Sequence, residues 1–393
     1  MKAGNLLIVQ SGIPSVVGNA ALFGALSEAL NYENIEEIYG VYNGFEGILT
    51  ERFVDLASLS QKKAQLFLST EGHVLKSESD QFQGNYEDFE KMVAVLSQKN
   101  IRFVTVIGDQ TAIIYTQTLS RAAKTLQYDL QVLVIPTSND NEIPMTDHSL
   151  GYGSCIKFLN THLSSFCQFL ESHNIQAGIC EIDSGNNGWV VAGSALSWSS
   201  SGKSANLEEV PYVVCLPEQP FNEEKFLEIV RSKIQRCGHI LIITHSQLVN
   251  EEGANLDVSS IGEYLENLIH AKLNISTCLD VCDMRFQPLS HFISKQDQTE
   301  AISCGKEAVL QLLENGESDK AAVLIRKTNE VHAYEINFLP LQDFINNLKF
   351  FPTDWISEET MSLNYAMIKY ALPLIQGEVP VTYEKGLRQF AQL

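Results

Sequence analysis

The polar residues best placed for chemistry gather in one stretch, Pro136-Thr137-Ser138-Asn139-Asp140-Asn141-Glu142-Ile143-Pro144-Met145-Thr146-Asp147, which runs on into Gly151-Tyr152-Gly153-Ser154. Asp140, Glu142 and Asp147 supply three carboxylates, and Asn139 and Asn141 two amides, a set suited to a polar ligand. The apolar residues 130–135 just before them predict a buried parallel strand. In open α/β sheets ligands bind beyond the carboxyl ends of strands, so the stretch reads as one wall of a polar site. An Asx-rich loop capping a helix near Ser154 would explain the same residues on local grounds.

The elements around it alternate between strand and helix. Residues 6–9 predict a strand, followed by a turn holding Gly12 and Gly18 and a helix from about residue 20 to 30. Strand, glycine turn and helix form the layout that cradles phosphate, because backbone N–H groups and the helix N-terminus attract anions. Ile13 and Val17 put branched side chains into that turn, and an ordinary βα connection accounts for it equally. Residues 35–41 and 103–107 predict further strands, the latter ending in Gly108-Asp109-Gln110-Thr111-Ala112, with helices over 85–98 and 113–126. The pattern predicts a parallel sheet with right-handed crossovers, whose strand ends open on one cleft.

A second αβ lobe follows. A helix over 155–171 precedes a strand at 177–182, then Asp183-Ser184-Gly185-Asn186-Asn187-Gly188-Trp189 and a helix over 190–196. Residues 210–216 predict a strand ending in Pro217-Glu218, followed by a helix at 223–236 and a strand at 239–244. Polar residues 199–206 and 250–256 predict mobile loops. Later come helices at 261–273 and 298–313, a hairpin of 321–325 with 332–336, and a helix at 366–375. Phe350, Phe351 and Trp355 are expected to pack the tail onto a lobe.

Composition narrows the functional classes. A net charge of −21 over 393 residues argues against nucleic acid or an anionic membrane as the main partner. The eight cysteines include no CxxC pair. Cys278 and Cys282 have no neighbouring His pair that would complete a zinc site. Scattered thiols, no leader-like start and no stretch of spanning length predict a reduced cytoplasmic protein.

Taken together, the motifs resemble the phosphofructokinases, and within them the long pyrophosphate-dependent branch, over nearly the full chain. The resemblance rests on Tyr39-Gly40-Val41-Tyr42-Asn43-Gly44-Phe45-Glu46-Gly47 and on the opening stretch, which follows the family's P-K-T-x-D-N-D. Glu181 through Gly188-Trp189 follows E-V-M-G-R-x-x-G, and Leu216-Pro217-Glu218 follows [IF]-P-E. Ser294-Lys295-Gln296-Asp297 and Pro373-Leu374-Ile375-Gln376-Gly377-Glu378 are similar to the pyrophosphate branch.

The resemblance implies an α/β fold of two Rossmann-like three-layer αβα lobes with a cleft between them, plus a helical C-terminal tail. It implies a donor-side lobe over 1–140 and about 258–300, a sugar-side lobe over 141–257 and 301–345, and a tail over 346–393. It also implies phosphoryl transfer to the 1-hydroxyl of fructose 6-phosphate, with Mg²⁺ bridging donor oxygens; such transfer depends on positioning and charge neutralisation. Asp140 falls on the general-base position, and Ser138, Asn141, Glu142, Glu218 and Gly188 fall on substrate-binding positions.

The donor positions Gly12, Gly72, Gly108, Asp109, Gln110, Thr137 and Gly185 depart from the pattern. Thr137 replaces the Lys of P-K-T, Gly185 replaces the Arg of M-G-R and Asp183 its Met. Asp109 serves as a metal ligand only if its loop slips by one residue, and no other metal ligand is expected. The loop Glu71 to Ser79 loses a glycine and its Arg, leaving Glu71, Glu78 and Asp183 where cations would meet the donor, with Lys76 as one candidate replacement. Arg285 stands in for a sugar-phosphate Arg only if the backbone shifts.

Two readings follow. In the first the chain is a catalytically impaired or regulatory homologue that binds a sugar phosphate or related small molecule, as a homodimer or beside a catalytic paralogue. In the second it is an active pyrophosphate-dependent 6-phosphofructokinase with a rebuilt donor site. A changed substrate lacking a phosphate would also fit the missing cations.

Overall fold

Leu6, Leu7, Ile8 and Val9 are all buried. Side chains alternate across a strand, so Leu6 and Ile8 enter one core and Leu7 and Val9 another. A strand apolar on both faces must be covered on both, and this one is the centre of a layered α/β fold. The computed structural model describes residues 3–199, 210–283, 292–327 and 333–393, apart from the side chains of Val16, Trp198 and Ser199. The strands of the two main sheets are, in chain order, β1 (Asn5–Ser11), β2 (Ile38–Val41), β3 (Phe53–Asp55), β4 (Ile101–Gly108), β5 (Gln131–Ser138), β6 (Leu150–Gly151), β7 (Ala177–Asp183), β8 (Tyr212–Cys215), β9 (Ile240–His245), β10 (Thr277–Asp283), β11 (Lys320–Arg326) and β12 (Tyr334–Pro340).

The chain divides into two compact units. Described residues within Met1–Gly153, Pro288–Lys349 and Gly377–Leu393 form the first, and those within Ser154–Gln287 and Phe350–Gln376 form the second. This division differs from the lobes expected from the sequence, and strand pairing is the reason. β10 pairs with β7, which carries residues 277–283 into the second unit, while β11 pairs with β5 and carries residues 320–340 into the first.

The first unit's sheet has the order β12-β11-β5-β4-β1-β2-β3, with β6 beside β5. Its central pairs are parallel as expected, but β3 and β12 are antiparallel edges. A parallel return needs a crossover of about a dozen residues or more, and the link from β2 to β3, residues 42–52, is shorter. The helices Val16–Ala29 and Lys295–Leu313 cover one face.

The second unit's sheet, β10-β7-β9-β8, is wholly parallel. Its edge strand β10 has no counterpart in the sequence reading, because Thr-Cys-Leu-Asp-Val-Cys-Asp lacks an apolar run and stays half-exposed. The tail is less helical than expected. Tyr365–Ala371 is its main helix, and residues 377–393 add only a short hairpin to the first unit. Trp189 packs edge-on against Phe351 at 5.1 Å and Trp355 at 5.8 Å, and lies 5.2 Å from Tyr370. Phe350 instead remains 67% exposed. The expected loop over 200–206 and the position of Arg285 lie outside the described residues. No described helix is long and apolar enough to cross a membrane, and the cysteines form no disulfide.

Candidate active-site residues

At the carboxyl end of β1, a buried amide network fixes the expected donor loop. Gln10 Nε2 donates to Asn19 Oδ1 at 3.0 Å, and Asn19 Nδ2 donates to the carbonyls of Thr70 and Gly72 at 2.8 and 2.7 Å. In return the N–H of Val74 reaches Asn19 Oδ1 and that of Leu75 reaches Gln10 Oε1, both at 3.0 Å. Both side chains are fully buried and their amide oxygens and nitrogens are satisfied. Gly72 sits in this loop with φ +67° and open space beside its Cα.

Two carboxylates close the turn beyond β1. Gly12 adopts φ +77°, and a Cβ there would come within 2.3 Å of the Asp109 carboxylate, so only glycine fits. Asp109 Oδ2 accepts the N–H of Ile13 at 3.0 Å, while its Oδ1 caps the helix Gln110–Thr125 through Thr111 and Ala112 at 2.9 and 3.3 Å. Glu78 Oε2 accepts the N–H of Gly12 at 3.2 Å, and its Oε1 accepts that of Phe45 at 2.9 Å. Gly108 ends β4 directly against Ser11. Gln110 points its amide at the carbonyl of Phe344, 2.6 Å away.

Glu71 behaves differently from its expected part in the donor site. Arg388, from the far end of the chain, forms an ion pair with it, so its charge is neutralised within the first unit. The sequence reading had no means of joining residues so far apart. Lys76 takes φ +63° and lies over the Tyr42 ring, 5.9 Å from its centroid.

Beyond β5, the opening stretch is a braced loop. Thr137 is buried and its Oγ1 has no hydrogen-bond partner among the described residues. Ser138 Oγ accepts the N–H of Asp140 at 3.1 Å, and Asp140 itself is half-buried. Burial raises the Glu142 pKa above the ordinary carboxylate value and the charge of Asp109 raises it further, while a Ser138 hydrogen bond acts the other way. Asn141 is fully buried with φ +56°. Its Oδ1 accepts from Ser149 N–H at 2.8 Å and Lys349 Nζ at 3.0 Å, so it braces the loop from behind. Lys349 Nζ also reaches the Asp147 carbonyl at 2.6 Å, and burial pulls its pKa down to about 7.

Behind that loop, buried His148 bridges Asp147 at 3.1 Å and Glu300 at 2.8 Å, and Arg326 grips Asp147 through Nε and Nη2 at 3.1 and 2.9 Å. Sequence reasoning missed Lys349, Glu300 and Arg326. Glu300 comes from the helix Lys295–Leu313, Arg326 from the end of β11 and Lys349 from the coil after β12, so nothing local in the sequence links them to this loop.

Of the residues expected to bind substrate, the second unit holds Gly188 and Glu218, while Ser138, Asn141 and Glu142 lie in the first. Gly188 donates its N–H to Glu218 Oε1 at 2.8 Å, and a Cβ on Gly188 would lie 2.7 Å from Oε2. Among the described residues, neither Glu218 Oε2 nor Ser184 Oγ, both buried, has a hydrogen-bond partner. Burial raises the Glu218 pKa, with the Gly188 N–H acting against it. Gly185 takes φ +48° in the intervening turn. Asp183 accepts the Ser246 hydroxyl at 3.0 Å. His245 was missed by the sequence reading. It is fully buried, its Nε2 faces the Ser184 carbonyl at 2.9 Å, and its Nδ1 accepts the N–H of Gln247, which together place the proton on Nε2. A buried carboxylate oxygen without a donor suits a hydroxyl-bearing ligand.

The Mg²⁺ implied by the resemblance can be tested against these donors. Mg²⁺ takes oxygen ligands in near-octahedral geometry. Both Asp109 oxygens already accept backbone N–H groups, and burial and the Asp109 charge raise the Glu142 pKa above the ordinary carboxylate value. These carboxylates do not fit a Mg²⁺ site of the chain's own.

Comparison with known proteins agrees with the fold. The phosphofructokinase family profile matches residues 5–310. A pyrophosphate–fructose 6-phosphate 1-phosphotransferase of Halomonas elongata is 25% identical over 100% of this chain and 97% of its own length. That of Methylococcus capsulatus is 26% identical over 100% and 96%. A sulfofructose kinase of Alkalicoccus urumqiensis is 25% identical over 85% and 87%. The crystal structure of a pyrophosphate-dependent phosphofructokinase from Marinobacter aquaeolei superposes with a TM-score of 0.87 at 25% identity, covering 99% of this chain and 96% of that one. With a family match spanning most of its length and an α/β fold of the same type, the chain belongs to the phosphofructokinase family.

Proposed function

We propose that this chain binds a sugar or sugar phosphate through Glu218 and transfers phosphoryl groups weakly or not at all. The observation that carries the reading is the occupation of the Gly12, Ile13 and Phe45 N–H groups by the carboxylates of Glu78 and Asp109. A phosphate cradle is built from such N–H groups. A polyanionic donor would have to displace both carboxylates, and each like-charge contact left in a partly desolvated site costs on the order of a few kcal/mol. Thr137 and Gly185 supply no compensating cation. On the sugar side, Glu218 Oε2 keeps an acceptor for a hydroxyl, and that contact needs no metal.

The second reading, an active pyrophosphate-dependent 6-phosphofructokinase, draws on relatives of that name that match the whole chain. It also draws on Asp140, which the resemblance puts on the general-base position, and on Lys349, a cation the opening stretch itself lacks, which braces the same loop through Asn141. A coupled assay of pure protein with fructose 6-phosphate and either pyrophosphate or ATP separates the two. The expected result is no turnover above that of Asp140→Asn. Robust turnover that Asp140→Asn abolishes overturns the first reading and establishes the second.

A further inference from the structure

The second unit carries a cluster of metal-ligating side chains away from Glu218. His162 on the helix Tyr152–Ser172 and Asp280 and Cys282 on β10 bring one ligand atom each to within 4.8 Å of one another. Their convergence follows from the sheet. Asp280 and Cys282 are two apart and so share a face of β10. Cys180, paired in register with Asp280, presents its side chain to that same face. His162 Nε2 meets Asp280 Oδ2 at 2.6 Å, and its ring stacks on Phe158 at 5.8 Å.

The geometry points to a site for a thiophilic divalent cation of the zinc class, held by Cys282 Sγ, His162 Nε2 and the Asp280 carboxylate. The donor set decides the metal. Nitrogen and sulfur ligands with one carboxylate suit Zn²⁺, whereas Mg²⁺ and Ca²⁺ demand oxygen. The protons balance: His162 sheds to solvent the Nε2 proton it now donates to Asp280 and binds neutral, Cys282 sheds any thiol proton to solvent and binds as thiolate, and Asp280 gives up its hydrogen bond to His162. One thiolate and one carboxylate then match the two charges of the ion.

Cys180 is fully buried and hydrogen-bonds the Cys282 sulfur as an outer partner. The side chains of His162 and Asp280 are 34% and 30% exposed, which leaves an entry path and a fourth coordination position open to water. Sequence spacing hides this site, because His162 lies far from Cys282 in the chain and only the pairing of β10 with β7 joins them.

The test titrates full-length protein, stripped with chelator and kept reduced, with Co²⁺ and then Zn²⁺. One equivalent of Co²⁺ per chain should give a thiolate-to-cobalt charge-transfer band that Zn²⁺ displaces and excess Mg²⁺ does not. The band should vanish in Cys282→Ser and in His162→Gln, the latter a change at a part-exposed position whose fold is checked by circular dichroism. Cys180→Ser should weaken binding by about tenfold, and Cys237→Ser should leave it unchanged. Absence of a stoichiometric band, or its survival in both Cys282→Ser and His162→Gln, overturns the proposal.

Discussion

Asp109 presses its carboxylate against Gly12: a Cβ on that glycine would lie 2.3 Å from Asp109 Cγ, and Asp109 Oδ2 takes the N–H of the next residue, Ile13, at 3.0 Å. One side chain therefore caps a helix and fills a turn where an anion would otherwise sit. Gly12→Ala meets both this contact and the positive φ. It should destabilise the first unit by about 1–3 kcal/mol, read as a lowered midpoint in urea.

Glu78 closes the same turn from the other side. Glu78→Gln keeps the side chain's size and removes its charge, so the affinity for pyrophosphate measured by calorimetry should rise by about tenfold. Unchanged affinity would mean that the turn excludes anions for reasons other than this carboxylate.

In the second unit, Glu218→Ala removes a buried carboxylate oxygen that has no hydrogen-bond partner among the described residues. Binding of fructose 6-phosphate should weaken by about 1–3 kcal/mol, with circular dichroism unchanged. Equal heats of binding in the variant and the natural chain would place the sugar elsewhere.

The His148 network makes stability depend on pH. Burial alone would lower the His148 pKa, but Glu300 and Asp147 outweigh it and raise it from 6.5 to about 9. For Asp147, burial raises the pKa, but the His148 and Arg326 hydrogen bonds and charges outweigh it and lower it from 3.8 to about 2. The histidine's contribution is therefore full below pH 6.5 and fades as pH rises through about 9. The aspartate's is full above pH 3.8 and fades toward about 2. His148→Ala leaves Glu300 without its buried partner, so near pH 6 it should cost about 3–5 kcal/mol. The cost should shrink above pH 9 in denaturant titrations; a pH-independent loss would contradict the charged bridge.

Asn19→Ala tests the amide network under the donor loop. Two carbonyls, the N–H of Val74 and the Gln10 amide lose their partner together. A loss of about 2–3 kcal/mol is expected, with faster hydrogen exchange at Val74 and Leu75.

Much of the fold was legible in the sequence, because periodicity is a local property. Leu6 to Val9 and residues 130–135 announce doubly buried strands by their unbroken apolar runs, and those strands place Gly12 and Asp140 at their carboxyl ends. Gly188 and Glu218 were each singled out by a motif that follows a strand, but their hydrogen bond to one another appears only in the fold. The tertiary structure alone decided which distant groups meet. Arg388 neutralises Glu71, Lys349 braces Asn141, and His162 reaches Cys282 because chain ends and strand edges return to the same place. Spacing along the chain carries no signal for such contacts, since hydrogen bonds and charges act over a few ångströms of space whatever the sequence separation. Asp109 shows the same limit in reverse: its carboxylate was visible as a possible metal ligand, and only the folded turn shows its oxygens taken by Ile13, Thr111 and Ala112.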